Sequence, residues 1–162
     1  MIRCHVAIGS NLGDPRATVD EAIDELAALR GSILRAMSSL YRTAPVGLRQ
    51  QPDFINAVVT LDTRLSASDL LAELLAVEAR FGRVRSIPNA PRTLDLDLLL
   101  YGDLVCAEEH LTLPHPRMHQ RAFVLAPLAE IAPGLVIPGH GSVDALLASC
   151  ADQRIHPLSR PT

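Results

Sequence analysis

The alternation of apolar and polar residues divides the chain into short strands and two well-marked amphipathic helices. Residues 2 to 8, IRCHVAI, are β-branched and apolar enough for a short buried strand, and GSNLGDP reads as the turn after it. Asp14 is placed to cap a helix starting at Pro15, in which Val19, Ala22, Ile23, Leu26 and Leu29 recur at helical spacing until Gly31 stops it. From Ser32 to Arg42, Leu34, Ala36, Ser38 and Leu40 alternate with Arg35, Met37, Ser39 and Tyr41, which predicts one strand. Thr43 to Asp53, with two prolines and a glycine, predicts a long loop, and Phe54 to Leu61 resumes a strand. A second helix begins at Ser66 or Ser68, carries a buried stripe of Leu70, Leu71, Leu74, Leu75 and Phe81, and ends at Gly82.

Beyond a connection rich in arginine and proline, RTLDLDLLLY from Arg92 to Tyr101 predicts a further strand. Pro114 and Pro116 hold His115 in an extended turn, and Phe123 to Ile131 reads as a buried helix ending at Pro133. LVIP follows as a short edge strand and SVDALLASC as a terminal helix, and the tail beyond Asp152 is expected to fray. The order strand, helix, strand, strand, helix, strand predicts a ferredoxin-like βαββαβ α+β sandwich. Its antiparallel sheet would carry helices on one face, with a C-terminal appendage, in a single domain.

Composition narrows the partners. Hydrophobic residues make up 48% and charged residues 20% of the 162, as in soluble globular proteins. No apolar run reaches the roughly 18 residues that span a bilayer, and the N-terminus lacks the long apolar core of a signal peptide, so the expectation is a cytoplasmic protein. Cys4, Cys106 and Cys150 are too scattered for a disulfide framework or a C-x-x-C metal site. All 15 basic residues are arginine, which excludes a Walker-type lysine and a Schiff base. Any phosphate must be held by arginine forks, histidine, backbone amides or metal. A net charge of -3 and 3% aromatic content argue against a nucleic-acid surface, leaving small anionic ligands.

Asp95 and Asp97 interrupt a run of leucines, although aspartate is disfavoured in strands and like charges on one face repel. Both carboxylates share a face, roughly 6 to 7 Å apart at Cα, with Leu94, Leu96 and Leu98 on the other. A bare D-x-D also fits a strand with one solvated face. A hard cation such as Mg²⁺, however, takes one or two carboxylates and fills its shell with water and substrate phosphates. Arg83, Arg85 and Arg92 precede the pair, and Arg117 and Arg121 follow; mutual ion pairs are one reading, and a metal-triphosphate site is the other. His115 and His119 are four apart, but Pro116 keeps His115 out of any helix and no third soft ligand is near, which argues against zinc. Asn56, near a loop, can read a polar edge or satisfy loop backbone. Glu78, near the end of the second helix, reads as a solvated surface residue.

Seven segments together resemble a known family. They are GSNLG at 9–13, YRTAPVG at 41–47, QPDFINAV at 51–58, GRVR at 82–85, PRTLDLDLLLYG at 91–102, LPHPRMHQRAFVL at 113–125 and PLAEIAP at 127–133. The family is the 6-hydroxymethyl-7,8-dihydropterin pyrophosphokinases of folate biosynthesis. The resemblance implies transfer of the terminal diphosphate of ATP to the hydroxymethyl group of 6-hydroxymethyl-7,8-dihydropterin, with release of AMP. It implies that Asp95 and Asp97 hold two Mg²⁺ ions, and that Arg83, Arg85, Arg92, His115 and Arg121 line the phosphates, with Asp97, Arg83 and Arg92 as catalytic groups. Glu78 would help form the nucleotide site, and backbone around Leu98, Leu111 and Thr112 would cradle adenine. The pterin would lie between Phe54 and Phe123, with Thr43, Val46 and Asn56 reading its edge. The expected partners are these two substrates, with neither nucleic acid nor membrane, and the chain is expected to be a monomer. Some relatives carry an arginine and a tryptophan where this chain has Pro88 and Asn89, and some an arginine where it has His110. Competing readings are a two-metal phosphohydrolase and a non-enzymatic RNA-binding or regulatory module on the same fold.

Overall fold

In the computed structural model, which describes residues 1–45, 50–82 and 94–158, strand β1 (Ile2–Ser10) runs through the middle of an antiparallel sheet. It pairs on one side with β4 (Phe54–Thr63) and on the other with β5 (Asp95–Tyr101). Outside β4 lie β2 (Ser32–Met37) and β3 (Leu40–Thr43). This is the strand order expected of a βαββαβ sandwich, with its second strand in two pieces. The break at Ser38 and Ser39 corrects the prediction of one strand. Ser38 replaces a ladder rung, since its N–H donates to Val58 O and its hydroxyl accepts from Val58 N, each at 2.9 Å. A bulge of this kind costs no buried hydrogen bond.

Helices α1 (Pro15–Ala27) and α2 (Ala67–Arg80) form where their caps and stripes predict. Asp14 Oδ1 accepts from Ala17 N at 3.2 Å, and Ser66 Oγ from Asp69 N at 3.1 Å. They cover one sheet face, burying Val19, Ile23, Leu26, Leu70 and Leu74 against Val6, Ile8, Leu61 and Leu96. Two corrections follow for α2. Leu75 is 43% exposed, and the inner stripe is instead Ala67, Leu70, Leu74, Val77 and Glu78.

The expectation of helices on one face alone is also corrected. Helices α3 (Ala122–Ile131) and α4 (Val143–Ala148) cover the opposite face, where Val124, Leu125, Leu128 and Val143 pack on Val58, Leu99 and Leu100. Leu99 and Leu100 both reach this core because β5 has an extra residue there: Leu98 pairs with Val6, and Leu100 with His5. Glu130 docks α3 on the β2–β3 break, accepting from Ser39 N at 2.9 Å and from the Tyr41 hydroxyl at 2.6 Å. The tail does not fray at 155–158. It forms β10 (Ile155–Leu158) on the edge of β3, a place where Pro157 withholds no needed donor. LVIP is half of a hairpin, β8 (Val136–Ile137) with β9 (Gly141–Ser142), and β6 (Cys106–Ala107) pairs with β7 (Thr112–Leu113).

His5 is buried in β1, with Nδ1 3.0 Å from the Thr60 hydroxyl. Burial, seconded by Arg3 and opposed by Asp62, pushes its pKa down from 6.5 to about 4. As pH falls below 6.5 the unfolded chain takes up a proton that the fold refuses, so stability falls until about pH 4 and is unaffected above 6.5. Urea unfolding at pH 7 and pH 5 should show this loss, and His5→Asn should remove about one proton from the slope. An unchanged slope would show that His5 titrates freely in the fold.

Candidate active site

Alternation along β5 sends Leu94, Leu96 and Leu98 into the core under α1 and α2, and turns Asp95 and Asp97 to the α3 side. Pairing fixes their neighbours. Gly9 stands between Asn56 and Asp95 on one row of the sheet, and Ala7 between Val58 and Asp97 on the next. With strands about 4.8 Å apart, Asn56 and Asp95 are about 10 Å apart along that row. Above it opens a cavity of about 1200 Å³, lined by Asp95, Asp97, Thr43, Phe54, Asn56, His115, Arg121 and Phe123 among others.

One end of the cavity is aromatic and amide-lined. Asn56 Nδ2 donates to Thr43 Oγ1 at 2.7 Å, both residues being buried, and this bond orients the amide. Phe54 and Phe123 both reach the cavity, and the Arg121 guanidinium sits 5.5 Å from the Phe123 ring centre. Gly9 keeps the floor low. A Cβ there would lie 3.0 Å from Asn56 Oδ1 and 3.9 Å from the Phe54 ring. Gly9→Ala should therefore displace the Asn56 amide and weaken binding of a flat heterocycle on the order of tenfold, with the fold intact. Ligand titration beside a thermal melt checks this; undiminished affinity would mean that Asn56 yields freely. β1 runs on through Gly9 and Ser10, which the sequence pattern assigns to the turn. Asn11, in the same motif, is a structural residue that the pattern does not single out: Nδ2 donates to Gln51 Oε1 at 2.8 Å and Pro52 O at 3.0 Å, tying the turn to the loop beside Phe54. An asparagine in a glycine-rich turn was the signal.

The other end carries the carboxylates of Asp95 and Asp97 beside His115 and Arg121. The His115 N–H donates to Leu99 O at 2.9 Å, fixing the backbone on the edge of β5. Its Nδ1 accepts from Arg117 N at 3.3 Å, which assigns the ring proton to Nε2, 3.9 Å from Asp97 Oδ1. Burial first, then Arg121, pushes the imidazole down to about 4, against Asp95, so it is a neutral donor near pH 7. His119 does not join it. Its ring stacks on His140 with centroids 3.8 Å apart, and among the described residues no group of three or more His, Cys, Asp or Glu could hold a metal. The donor set on β5 is two carboxylates, which fits a hard cation that completes its shell from substrate oxygens.

Glu78 corrects the surface assignment: it is 2% exposed, and its Oε2 accepts from Leu96 N at 2.6 Å. That amide belongs to the strand segment between the two aspartates, on the side of β5 where no further strand pairs among the described residues. Beside it, a second pocket of about 300 Å³ is lined by Leu71, Leu75, Leu98, His110, Leu111 and Thr112, and shares Asp97, His115 and Pro116 with the large cavity. Leu71 and Leu75, expected in the core, are walls of this pocket. Val46, Arg83, Arg85 and Arg92, with Pro88 and Asn89, lie outside the described residues.

Adjacent carboxylates, a neutral histidine and an arginine beside an aromatic slot suit transfer of a phosphoryl-type group to a flat-ring acceptor. The class so defined is a group-transfer enzyme on a ferredoxin-like α+β sandwich. The chain belongs to the 7,8-dihydro-6-hydroxymethylpterin-pyrophosphokinase (HPPK) family, which matches residues 5–133. It is 45% identical over 156 residues to the 2-amino-4-hydroxy-6-hydroxymethyldihydropteridine pyrophosphokinase of Pseudomonas aeruginosa, covering 96% of each chain. Identity to the protein of the same name from Haemophilus influenzae is 42% over 159 residues, covering 98% of this chain and 99% of that one. The solved structure of wild-type Plasmodium falciparum HPPK-DHPS shares the fold, with a TM-score of 0.74 at 11% identity. There the match spans 93% of this chain and 45% of that longer one. The chain is thus an enzyme of the pyrophosphokinase type, with its role in folate biosynthesis.

Proposed function

We propose that this chain transfers the terminal diphosphate of ATP to the hydroxymethyl oxygen of 6-hydroxymethyl-7,8-dihydropterin, releasing AMP. The observation that carries the proposal is the meeting of the two pockets at Asp97 and His115. The small pocket, in which the leucines Leu71, Leu75, Leu98 and Leu111 mix with polar groups such as Thr112, suits adenine. The aromatic end of the large cavity suits the pterin, with Phe54 and Phe123 against its faces and Asn56 and Thr43 at its edge. A triphosphate joining them passes the β5 carboxylates.

In the step itself a bond forms between the hydroxymethyl oxygen and the β-phosphorus, the bond from that phosphorus to the α-bridging oxygen breaks, and the hydroxyl proton passes to solvent. Asp95 and Asp97 would hold two Mg²⁺ ions, whose chemistry is neutralisation of the triphosphate charge. His115 donates from Nε2 to a phosphate oxygen without needing to be charged, and Arg121 stabilises spreading negative charge. The phosphate roles expected of Arg83, Arg85 and Arg92, and the pterin role of Val46, rest on the family resemblance.

Among the described residues no helix is long and apolar enough to cross a membrane. We place the protein in the cytoplasm as a monomer acting on these two small substrates, without nucleic acid. Incubation with Mg²⁺-ATP and the hydroxymethyl pterin tests the reading. AMP is expected only when pterin and metal are both present; ADP, or turnover without pterin, would overturn it.

A further inference from the structure

The turn that presents Arg121 and Phe123 has no cap of its own. Residue Arg121 occupies the N-cap position of α3, and its side chain makes no capping hydrogen bond. The missing partner comes from 31 residues away: Gln153 Oε1 accepts from Ala122 N at 2.9 Å. The same amide donates through Nε2 to Gln120 O at 2.7 Å, at the end of the 3₁₀ turn Met118–Gln120. One planar group thus holds the peptide units on both sides of Arg121. Gln153 N–H is itself bonded to Cys150 O at 3.0 Å, at the foot of α4. Two residues on, Ile155 pairs with Thr43, the residue that orients the Asn56 amide. Gln153 and Ile155 both line the large cavity. A three-residue span of the C-terminal segment therefore ties the Phe123 side of the slot to its Thr43 side.

We infer that Gln153 is a positioning residue for pterin binding, acting through Arg121 and Phe123; this rests on the function proposed above. The far end of α3 is already fixed through Glu130, so loss of Gln153 frees only the end that bears the ring. Without it the first amide of α3 and the Gln120 carbonyl turn to water, and the Phe123 wall moves relative to Asn56 and Thr43. Glutamate can still accept from Ala122 N but has no donor for Gln120 O, so it restores half of the clamp.

The test measures the dissociation constant of 6-hydroxymethylpterin from its fluorescence, with a thermal melt, for wild type, Gln153→Ala and Gln153→Glu in the full chain. Gln153→Ala should weaken pterin binding at least fivefold, and Gln153→Glu should fall between it and wild type. A purely structural residue would lower the melting temperature and leave the dissociation constant of the folded fraction unchanged. That result, or affinity within twofold of wild type for Gln153→Ala, overturns the inference while the proposed function stands. Wild-type protein that binds no pterin overturns both.

Discussion

Replacing Asp97 by alanine should lower turnover about 10³-fold, at the upper end of what losing one electrostatic group costs an enzyme, while pterin affinity stays within about threefold. The two effects separate because of where the side chain stands. Asp97 lines both pockets, whereas Asp95 lines the large cavity alone. Asp97 Oδ1 also lies 3.9 Å from His115 Nε2. On the proposed function, its loss removes one of the two carboxylates that would hold the cations, and leaves the Nε2 proton of His115 without its acidic neighbour. Phe54, Asn56, Thr43 and Phe123 lie toward the other end and keep their geometry. Steady-state rates and a pterin titration on the same preparation check both halves. A near-normal rate would remove Asp97 from the chemistry, and lost pterin affinity would mean that the two ends of the cavity are not independent.

The second large effect is expected from Glu78→Ala, at about 2 to 3 kcal/mol of stability. The carboxyl group is buried, and among the described residues no strand pairs with β5 on the side of the amide that it satisfies. An orphaned Leu96 N–H then sits between the two aspartates, so activity should fall with stability. Urea unfolding gives the first number, and hydrogen exchange at Leu96 tells whether that edge has opened. Glu78→Gln retains an acceptor and should lose roughly half as much. If Glu78→Ala keeps both its stability and the protection of the Leu96 amide, the edge-closing role is wrong.

Local chemistry made much of this legible beforehand. Asp14 and Ser66 cap helices because a short oxygen-bearing side chain before an apolar stripe has few other uses, and the period of two in LDLDL sets both carboxylates on one face. What stayed hidden depended on partners far along the chain. Glu78 looks solvated until the bond to Leu96, 18 residues on, is drawn. Leu75 looks buried because periodicity gives a stripe and not what lies opposite it, here an open pocket. Ser38 alternates correctly for a strand while its hydroxyl replaces a backbone rung. In IHPL the proline masks a strand that needs no donor on that edge. The second covered face was unreadable for a related reason: the bulge at Leu99 breaks the alternation that assigns residues to faces.

The row that joins Asn56, Gly9 and Asp95 has a consequence for how such a chain can vary. Acceptor-reading and charge-handling groups here share a ladder, so their separation is counted in strands and cannot be tuned by a loop. Loops can lengthen or shorten without moving either group. A single residue gained or lost within β1, by contrast, would put β4 and β5 out of phase with each other and turn one of the two half-sites into the hydrophobic core. Variation compatible with activity is therefore confined to the connections, and the strand lengths act as the ruler of the reaction.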